Sequence, residues 1–240
     1  METKVRKIVY ASSVSVYPID LQQRPGACLS EDDLRYYNPE GGYGWAKLLG
    51  EIQLGWMRDI AIGIARIFNI YGPCAALGKS AQVIPALIQK AIMYPEVDFV
   101  VWGSGDQTRP FTYVSDCVDA LLRLEVSASN PPLVVNIGSD DSVPVRVLAE
   151  KIVEISGKNI TMRYDPSKPT GPMGRTANIC RARSLRGWSR RVELEDGLRR
   201  TYAWIQKRMA PKEWVVLPDS TSLSGNPEGR LQSWHRPMYF

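Results

Sequence analysis

The segment Val5–Pro18, which reads VRKIVYASSVSVYP, decides the fold of this chain. Its first residues are β-branched or aromatic and its last ones are small, which predicts a buried strand running into a loop. Similar apolar strands are predicted at 60–70 and 133–137. Helical patterns lie between and after them, at 43–56, 85–94, 115–124, 144–157 and 194–208. Strands that alternate with helices indicate an α/β fold with a mainly parallel sheet.

The helix predicted at 43–56 has two distinct faces. Apolar side chains recur at i, i+3, i+4, i+7 and i+11 from Trp45 and form a continuous stripe. Tyr43, Lys47 and Glu51 are spaced four residues apart, so they share another face. At the other helices, we expect Ser115 or Asp116 to cap one start and Gly157 to end another.

Composition and charge narrow the class of protein. The chain has 240 residues, of which 44% are hydrophobic and 23% charged, as is usual for a globular protein. Its net charge is +5, and Lys and Arg are dispersed along the chain. Dispersed Arg favours a phosphate-bearing small molecule over nucleic acid, although a solvated basic surface is an equal alternative. We expect one domain at 1–209 and a poorly ordered tail at 210–240, which is rich in Pro, Ser, Gly and Asn.

Histidine and cysteine usage excludes several chemistries. The single histidine, His235, lies in the tail, so the body of the chain has no histidine for a hydrolytic triad or a metal. The four cysteines form no CxxC pair, which argues against a zinc site and predicts reduced thiols in a cytoplasmic protein. No apolar run is long enough to cross a bilayer, so no membrane association is expected.

Tyr43 and Lys47 predict the chemistry. An ammonium beside a phenol favours the phenolate and lowers the tyrosine pKa from about 10 toward neutrality. A serine at a strand end can hold a substrate hydroxyl in line, so the three groups can deprotonate an alcohol while hydride leaves its carbon. A Tyr-x-x-x-Lys pair alone is a weak signal and is usually a surface coincidence. A preceding strand that ends in Ser12-Ser13 makes the signal strong.

Several segments match those of a known family in order: ASSVSVYP (11–18), YGWAK (43–47), RIFNIYGP (66–73), VWGSGDQTRPFTYVSD (101–116), VVNIGSDDSV (134–143) and LRGWSRRVELEDGLRRTYAWI (185–205). In these segments, from about Val5 to Arg208, the chain resembles the extended short-chain dehydrogenase/reductase family. Within it, the chain resembles the NAD-dependent nucleotide-sugar epimerases and dehydratases. The amino-acid sequences of segments 102–112 and 197–205 are most similar to those of the GDP-mannose 3,5-epimerases. Those enzymes oxidise the sugar at C4 with NAD, epimerise beside the ketone and reduce it again.

The resemblance implies roles at the catalytic end. Tyr43 would be the base, Lys47 would bind the nicotinamide ribose and tune Tyr43, and Ser13 would be the serine of the triad. Ser12, Tyr43 and Lys47 would contact NAD. The sugar would be contacted by Ser13, Val14 and Ser15.

The resemblance also implies roles at the nucleotide end, where the bound partner would be a nucleotide sugar. Asn69 would contact the diphosphate, and Lys90 would assist. Gln107, Thr108 and Arg109 would line the site, and Arg109 and Arg175 would pair with the phosphates. A guanidinium group suits this role because its N–H donors match the oxygens of a phosphate. The alternative interpretation is that each of the two is an ordinary surface arginine.

Position 15 distinguishes members of the family. Decarboxylases and 4,6-dehydratases of this family resemble one another because both have an acidic residue at the matching position. The 3,5-epimerases have a cysteine at that position. This chain has Ser15, as the 4-epimerases have Ser or Thr. A serine hydroxyl has no pKa near neutrality, so inversion at C3 or C5 is less expected than the resemblance alone implies. A 4-epimerase is therefore an alternative within the family.

A glycine-rich fingerprint of the GxxGxxG type, which holds the cofactor pyrophosphate at a helix N-terminus, is not found in these 240 residues. We therefore expect an incomplete Rossmann-type sheet with an interleaved, smaller substrate-binding subdomain. Two hypotheses follow. The chain is the catalytic and substrate-binding part of an epimerase, truncated or completed by another chain. Alternatively, it is a non-catalytic remnant that binds a nucleotide sugar or dimerises. A homodimer is expected in either case, because full-length relatives dimerise through the helix with YxxxK.

Overall fold

A computed structural model describes residues 5–24 and 26–210. The predicted tail therefore lies outside the described residues, except for Ala210, and so does His235. The helices are α1 Gly41–Gly55, α2 Val83–Met93, α3 Val114–Ser127, α4 Val145–Ser156, α5 Cys180–Ser184 and α6 Leu194–Met209. The strands are β1 Lys7–Ser13, β2 Cys28–Leu29, β3 Ala61–Ile67, β4 Ile70–Tyr71, β5 Val100–Trp102, β6 Thr108–Arg109, β7 Thr112–Tyr113, β8 Leu133–Ile137, β9 Val143–Pro144, β10 Arg163–Asp165 and β11 Thr176–Ala177.

The central sheet has three parallel strands in the order β1-β3-β8. Lys7 pairs with Ala61 and Ser13 with Ile67, while Ile67 also pairs with Ile137. Three further strand pairs are parallel, and β6 with β9 is antiparallel. The predicted α/β fold with a mainly parallel sheet is confirmed, because the three apolar strands fall where the sequence indicated them.

Helices cover both faces of the central sheet. Leu54 of α1 packs with Ile62 and Ile64 on one face. On the other face, a Cβ at Gly63 would lie 2.7 Å from Leu124 of α3, so this close approach requires glycine. Neighbouring residues of a strand point to opposite faces, so α1 and α3 lie on opposite sides of β3.

A second apolar cluster forms away from the central sheet. It includes Leu87 and Ile88 of α2, Leu148 and Ile152 of α4, and Leu198 of α6, all nearly inaccessible to solvent. These residues recur at helical spacing, and burying their apolar faces against one another stabilises the three helices together. The interleaved substrate-binding subdomain, which the sequence predicts in this region, stays a prediction.

The apolar stripe of α1 differs from the prediction in what it contacts. The face turned toward the protein contains Gly44, Leu48, Glu51 and Leu54. Trp45 and Leu49 are 43% and 53% exposed, and Trp56, just after the helix, is 72% exposed. A large part of the predicted stripe therefore faces solvent.

The start of α3 also differs from the prediction. The helix begins at Val114, and its N-cap residue is Tyr113, without a side-chain cap. Asp116 is buried, and its carboxylate accepts hydrogen bonds from the backbone N–H groups of Arg191 and Val192 at 3.1 and 3.0 Å. Asp116 therefore binds the backbone of the segment before α6 and does not cap α3. The predicted end of α4 is correct, because Gly157 adopts the left-handed conformation there at φ 66°.

Within residues 5–24 and 26–210, no helix combines the length and the apolar character that crossing a bilayer requires.

Candidate active site

The candidate site begins where β1 ends. Ser12 and Ser13 are buried, and a single 3-10 turn over 14–16 follows them. The backbone N–H of Ser15 donates to the Ser13 hydroxyl oxygen at 3.2 Å and fixes the start of this turn. In open parallel sheets, ligands bind at the carboxyl ends of the strands, and this turn lies at such an end.

Helix α1 begins directly against this turn. The Glu40 N–H donates to the Ser15 carbonyl at 2.9 Å, and a Cβ at Gly44 would lie only 2.3 Å from the same oxygen. A side chain at position 44 would therefore push the helix away from the turn. This approach holds Tyr43 and Lys47 beside the end of β1.

Tyr43 and Lys47 are neighbours, as the spacing predicts. The Lys47 ammonium lies 5.7 Å from the centre of the Tyr43 ring and 5.3 Å from that of Tyr10. It donates a hydrogen bond to the Ala11 carbonyl at 2.8 Å, which ties α1 to β1. Tyr43 is 60% exposed, so its phenol is open to a ligand.

A buried ion pair supports this end of the site, and its role was not foreseen from the sequence. Arg66 of β3 donates to Glu51 of α1 at 2.8 Å, with side-chain exposures of 5% and 6%. The Ser12 hydroxyl donates to the same carboxylate. Arg66 also donates to the Glu31 carbonyl at 3.0 Å and lies 4.9 Å from the Tyr17 ring centre. The available signal was the position of Glu51, four residues after Lys47 on the same helix face.

The two predicted phosphate-binding arginines are both buried, at 8% exposure for Arg109 and 7% for Arg175. Arg109 donates to the carbonyls of Thr108 and Thr170, each at 2.8 Å. The pKa of Arg109 is lowered to about 10, mainly by burial and also by nearby Arg175, whereas Glu40 opposes the shift. The Arg109 guanidinium therefore stays charged at neutral pH.

Glu40 joins the turn after β1 to Arg175, and this role was not predicted from the sequence. Its carboxylate accepts a hydrogen bond from the Ser15 hydroxyl at 3.1 Å and forms an ion pair with Arg175. Gln22 also accepts a hydrogen bond from Arg175. The sequence offered a weak signal, an acidic residue directly before the first turn of α1.

A cavity of about 380 Å³ continues from Arg109. Lys90, Gln107 and Arg109 line it, whereas Thr108 does not. Lys90 donates to the Val100 carbonyl at 2.5 Å, and burial lowers the pKa of its ammonium. Gln107 donates to the Trp102 carbonyl at 3.0 Å. The cavity has the apolar walls and the few polar groups that a small-molecule site requires.

Three predicted contact residues have distinct surroundings. Asn69 follows β3 with φ 30°, and its side-chain oxygen is buried without a partner among the described residues. The hydroxyl of Thr108 is likewise buried and unpartnered there. Val14 is 4% exposed and packs in the core next to the sheet. The roles that the resemblance implies for these residues stay predictions.

Residues 1–138 match the model of the NAD dependent epimerase/dehydratase family. A GDP-mannose 3,5-epimerase of Oryza sativa subsp. indica is 33% identical over 98% of this chain. The match covers 61% of that relative, so the chain spans less than two thirds of its length. The predicted resemblance is confirmed, and the chain belongs to the NAD dependent epimerase/dehydratase family.

Solved structures agree with this assignment. UDP-glucuronic acid 4-epimerase from Bacillus cereus, solved with UDP-glucuronic acid and NAD, has a TM-score of 0.72 and 30% identity. The match covers 86% of this chain and 63% of that one. UDP-glucose 4-epimerase from Thermotoga maritima, solved with UDP-glucose, has a TM-score of 0.76, with coverage of 85% and 64%. Its 24% identity supports the shared fold.

Proposed function

We propose that this chain is the catalytic and substrate-binding part of a nucleotide-sugar epimerase similar to GDP-mannose 3,5-epimerase. The reaction is transient oxidation at sugar C4, epimerisation beside the ketone and re-reduction. One arrangement carries the proposal: Tyr43 and Lys47 lie beside the parallel strand that ends in Ser13, and Glu40 links the turn after that strand to the buried Arg175. Family membership supports it, since a GDP-mannose 3,5-epimerase is 33% identical to this chain and a UDP-glucuronic acid 4-epimerase shares its fold.

The described residues fit NAD at its nicotinamide-ribose end. The Lys47 ammonium has three N–H donors, and the Ala11 carbonyl takes one of them. Two donors remain for the ribose hydroxyls. The 240 residues contain no GxxGxxG motif, so the donor set for the pyrophosphate end is not found in this sequence. When bound, NAD accepts the hydride from sugar C4 and returns it.

The chain's own residues handle the proton and the orientation. The Tyr43 hydroxyl oxygen takes the proton of the C4 hydroxyl as general base, and the Lys47 ammonium lies beside its ring. The Ser13 hydroxyl holds the same substrate oxygen in line. Arg109 and Arg175 bind the diphosphate and leave the sugar beside Ser13 and Ser15. The nucleoside extends into the cavity lined by Lys90 and Gln107.

Substitution of Arg109 by lysine is expected to weaken GDP and GDP-mannose binding about tenfold, because lysine keeps the charge but loses the fork that matches two phosphate oxygens. Isothermal titration calorimetry measures this. Arg163→Lys is the matched control, since Arg163 is exposed and pairs with Asp98 at 2.9 Å. Equal affinities for a folded Arg109→Lys variant and the unchanged chain would contradict a diphosphate site at Arg109.

The second candidate function is nucleotide-sugar binding without redox chemistry, and it is favoured because the buried arginines and the adjoining cavity all lie within the described residues and need no cofactor. Calorimetry with NAD and with GDP-mannose separates the two. Binding of both ligands supports the epimerase. Binding of GDP-mannose alone supports the binding protein, and binding of neither contradicts both. The 4-epimerase alternative rests on Ser15, and NMR of the product sugar distinguishes inversion at C4 from inversion at C3 or C5.

We further propose a homodimer formed through α1. Trp45, Leu49 and Trp56 are exposed there, and a continuous apolar surface of this kind usually marks an interface. We also propose a cytoplasmic location, which the free state of Cys28, Cys74, Cys117 and Cys180 supports.

Leu49→Glu is expected to convert the dimer into monomers, because a carboxylate at the centre of an apolar interface loses its hydration. Light scattering after gel filtration measures the mass. Leu122→Glu is the control, since Leu122 is 64% exposed on α3, on the other side of the sheet. A dimer that tolerates Leu49→Glu but dissociates with Leu122→Glu would place the interface on α3.

A further inference from the structure

Glu40 lies where the two ends of the proposed site meet. Its backbone N–H donates to the Ser15 carbonyl at 2.9 Å, so its main chain is fixed to the turn after β1. One carboxylate oxygen, Oε2, accepts from the Ser15 hydroxyl at 3.1 Å and also pairs with Arg175. The carboxylate thus lies between a hydroxyl of the proposed sugar end and an arginine of the proposed diphosphate end.

The Glu40 carboxylate has hydrogen-bonding capacity that the protein does not use. Both contacts above are made by Oε2, and among the described residues no side-chain or backbone donor reaches Oε1. An ionised carboxylate accepts through both oxygens. The side chain is 34% exposed, compared with 9% for that of Arg175, so the carboxylate is open to a ligand.

Glu40 also changes the charge that a ligand meets. Arg109 and Arg175 bring two positive charges, and Glu40 removes one of them. Lys79 and Lys90 of the adjoining cavity add two positive charges, and a diphosphate brings about two negative charges that offset most of the total. A further carboxylate on the sugar would meet like charge at short range, where the surroundings screen less than bulk water does.

We propose that Glu40 determines specificity at the sugar end: its carboxylate accepts hydrogen bonds from the hydroxyls of a neutral hexose and disfavours a sugar that itself has a carboxylate. The Ser15 hydroxyl and Arg175 hold the Glu40 carboxylate in place beside the sugar. The inference rests on the proposed nucleotide-sugar site and adds the class of sugar that the site accepts.

The test compares three ligands with the full chain and its Glu40→Gln variant. GDP reports the diphosphate site alone. GDP-mannose and GDP-mannuronic acid differ only at C6, which is a hydroxymethyl group in the first and a carboxylate in the second. Calorimetry gives each dissociation constant, and thermal unfolding verifies that the variant is folded.

The unchanged chain is expected to bind GDP-mannose about tenfold more tightly than GDP-mannuronic acid. The reason is the repulsion between the Glu40 carboxylate and the sugar carboxylate, which little solvent screens. Glu40→Gln should bring the two affinities within about threefold of each other and tighten GDP binding, because it removes a negative charge beside the arginines. Glu40→Asp, which keeps the charge, should retain the preference.

Asp106→Asn is the matched control. Asp106 is exposed and pairs with Arg146 at 3.4 Å, so this variant removes one charge near the nucleotide end without changing Ser15 or Arg175. It should leave the ratio of the two affinities unchanged. An equal shift in Asp106→Asn and Glu40→Gln would attribute the preference to net charge and overturn the inference.

The remaining outcomes are decisive in different ways. If the unchanged chain binds GDP-mannose and Glu40→Gln keeps the same ratio, the inference is overturned and the proposed function stands. Weaker GDP binding by Glu40→Gln with that unchanged ratio would reduce Glu40 to an orienting partner of Arg175. If the unchanged chain binds neither GDP nor GDP-mannose, the proposed function fails, and the inference fails with it.

Discussion

Replacement of Arg66 by alanine is expected to lower the free energy of unfolding by about 3–5 kcal/mol, because it leaves the Glu51 carboxylate buried without its partner. Arg66 donates to Glu51 at 2.8 Å, and both side chains are about 95% buried, with exposures of 5% and 6%. It also donates to the Glu31 carbonyl at 3.0 Å. The substitution therefore removes several charge-assisted contacts and the packing of the guanidinium on Tyr17.

Urea unfolding followed by circular dichroism measures this loss. Arg199→Ala is the control, since Arg199 pairs with Glu195 at 2.8 Å on the exposed face of α6, and loss of an exposed pair changes stability little. The double variant Glu51→Leu/Arg66→Met should lose less than the two single variants added together, because no unpaired charge stays buried. A loss below about 1 kcal/mol for Arg66→Ala would contradict the assignment of a tight buried pair.

The predicted loss has a consequence for the site, since the ion pair holds its parts together. Glu51 is on α1, one turn after Lys47, and accepts from the Ser12 hydroxyl at the end of β1. Arg66 is on β3. The network therefore fixes the helix with the proposed base against two strands of the sheet, and a rigid support of this kind keeps catalytic groups in position.

The central strands were predictable because their burial leaves a simple signal. Apolar runs predict strands near 5–13, 60–70 and 133–137, and each gives a strand of the parallel sheet, although β3 ends at Ile67 and not at Ile70. The buried face of α1 was not predictable in the same way. The helical spacing shows which apolar residues share a face, but it does not show whether another part of the protein packs against that face. Trp45 and Leu49 face solvent, whereas Glu51 is buried.

In the candidate site too, contacts within one helix were predictable from the sequence, whereas contacts between distant residues were not. Tyr43 and Lys47 lie four residues apart, so local helix geometry alone brings them together. Glu40 and Arg175 are separated by 135 residues, and Glu51 and Arg66 join a helix to a strand. No local period encodes such pairs, since their contact depends on tertiary packing. Sequence motifs therefore indicate the residues that we propose to react, whereas the charged residues around them could be identified only from the structure.

Substitution of Tyr43 by phenylalanine is expected to lower the rate of product formation from GDP-mannose by about 10²–10⁴-fold, the range for loss of a general base. Phenylalanine keeps the ring but has no hydroxyl to take the proton from C4. Tyr43 is 60% exposed and none of the described hydrogen bonds involves its hydroxyl, so stability and GDP-mannose affinity should stay within twofold of the unchanged chain, or about 0.4 kcal/mol.

NMR of the sugar, recorded with NAD present, measures both the rate and the stereocentre. Tyr164→Phe is the control, since Tyr164 is 42% exposed on β10, a strand that is not part of the central sheet. A full rate in Tyr43→Phe would contradict the proposed base. An unchanged chain that binds GDP-mannose tightly but forms no product would exclude epimerase activity of these 240 residues by themselves and favour nucleotide-sugar binding, because Tyr43 and Lys47 would then be present without the hydride transfer that they serve in the proposed reaction.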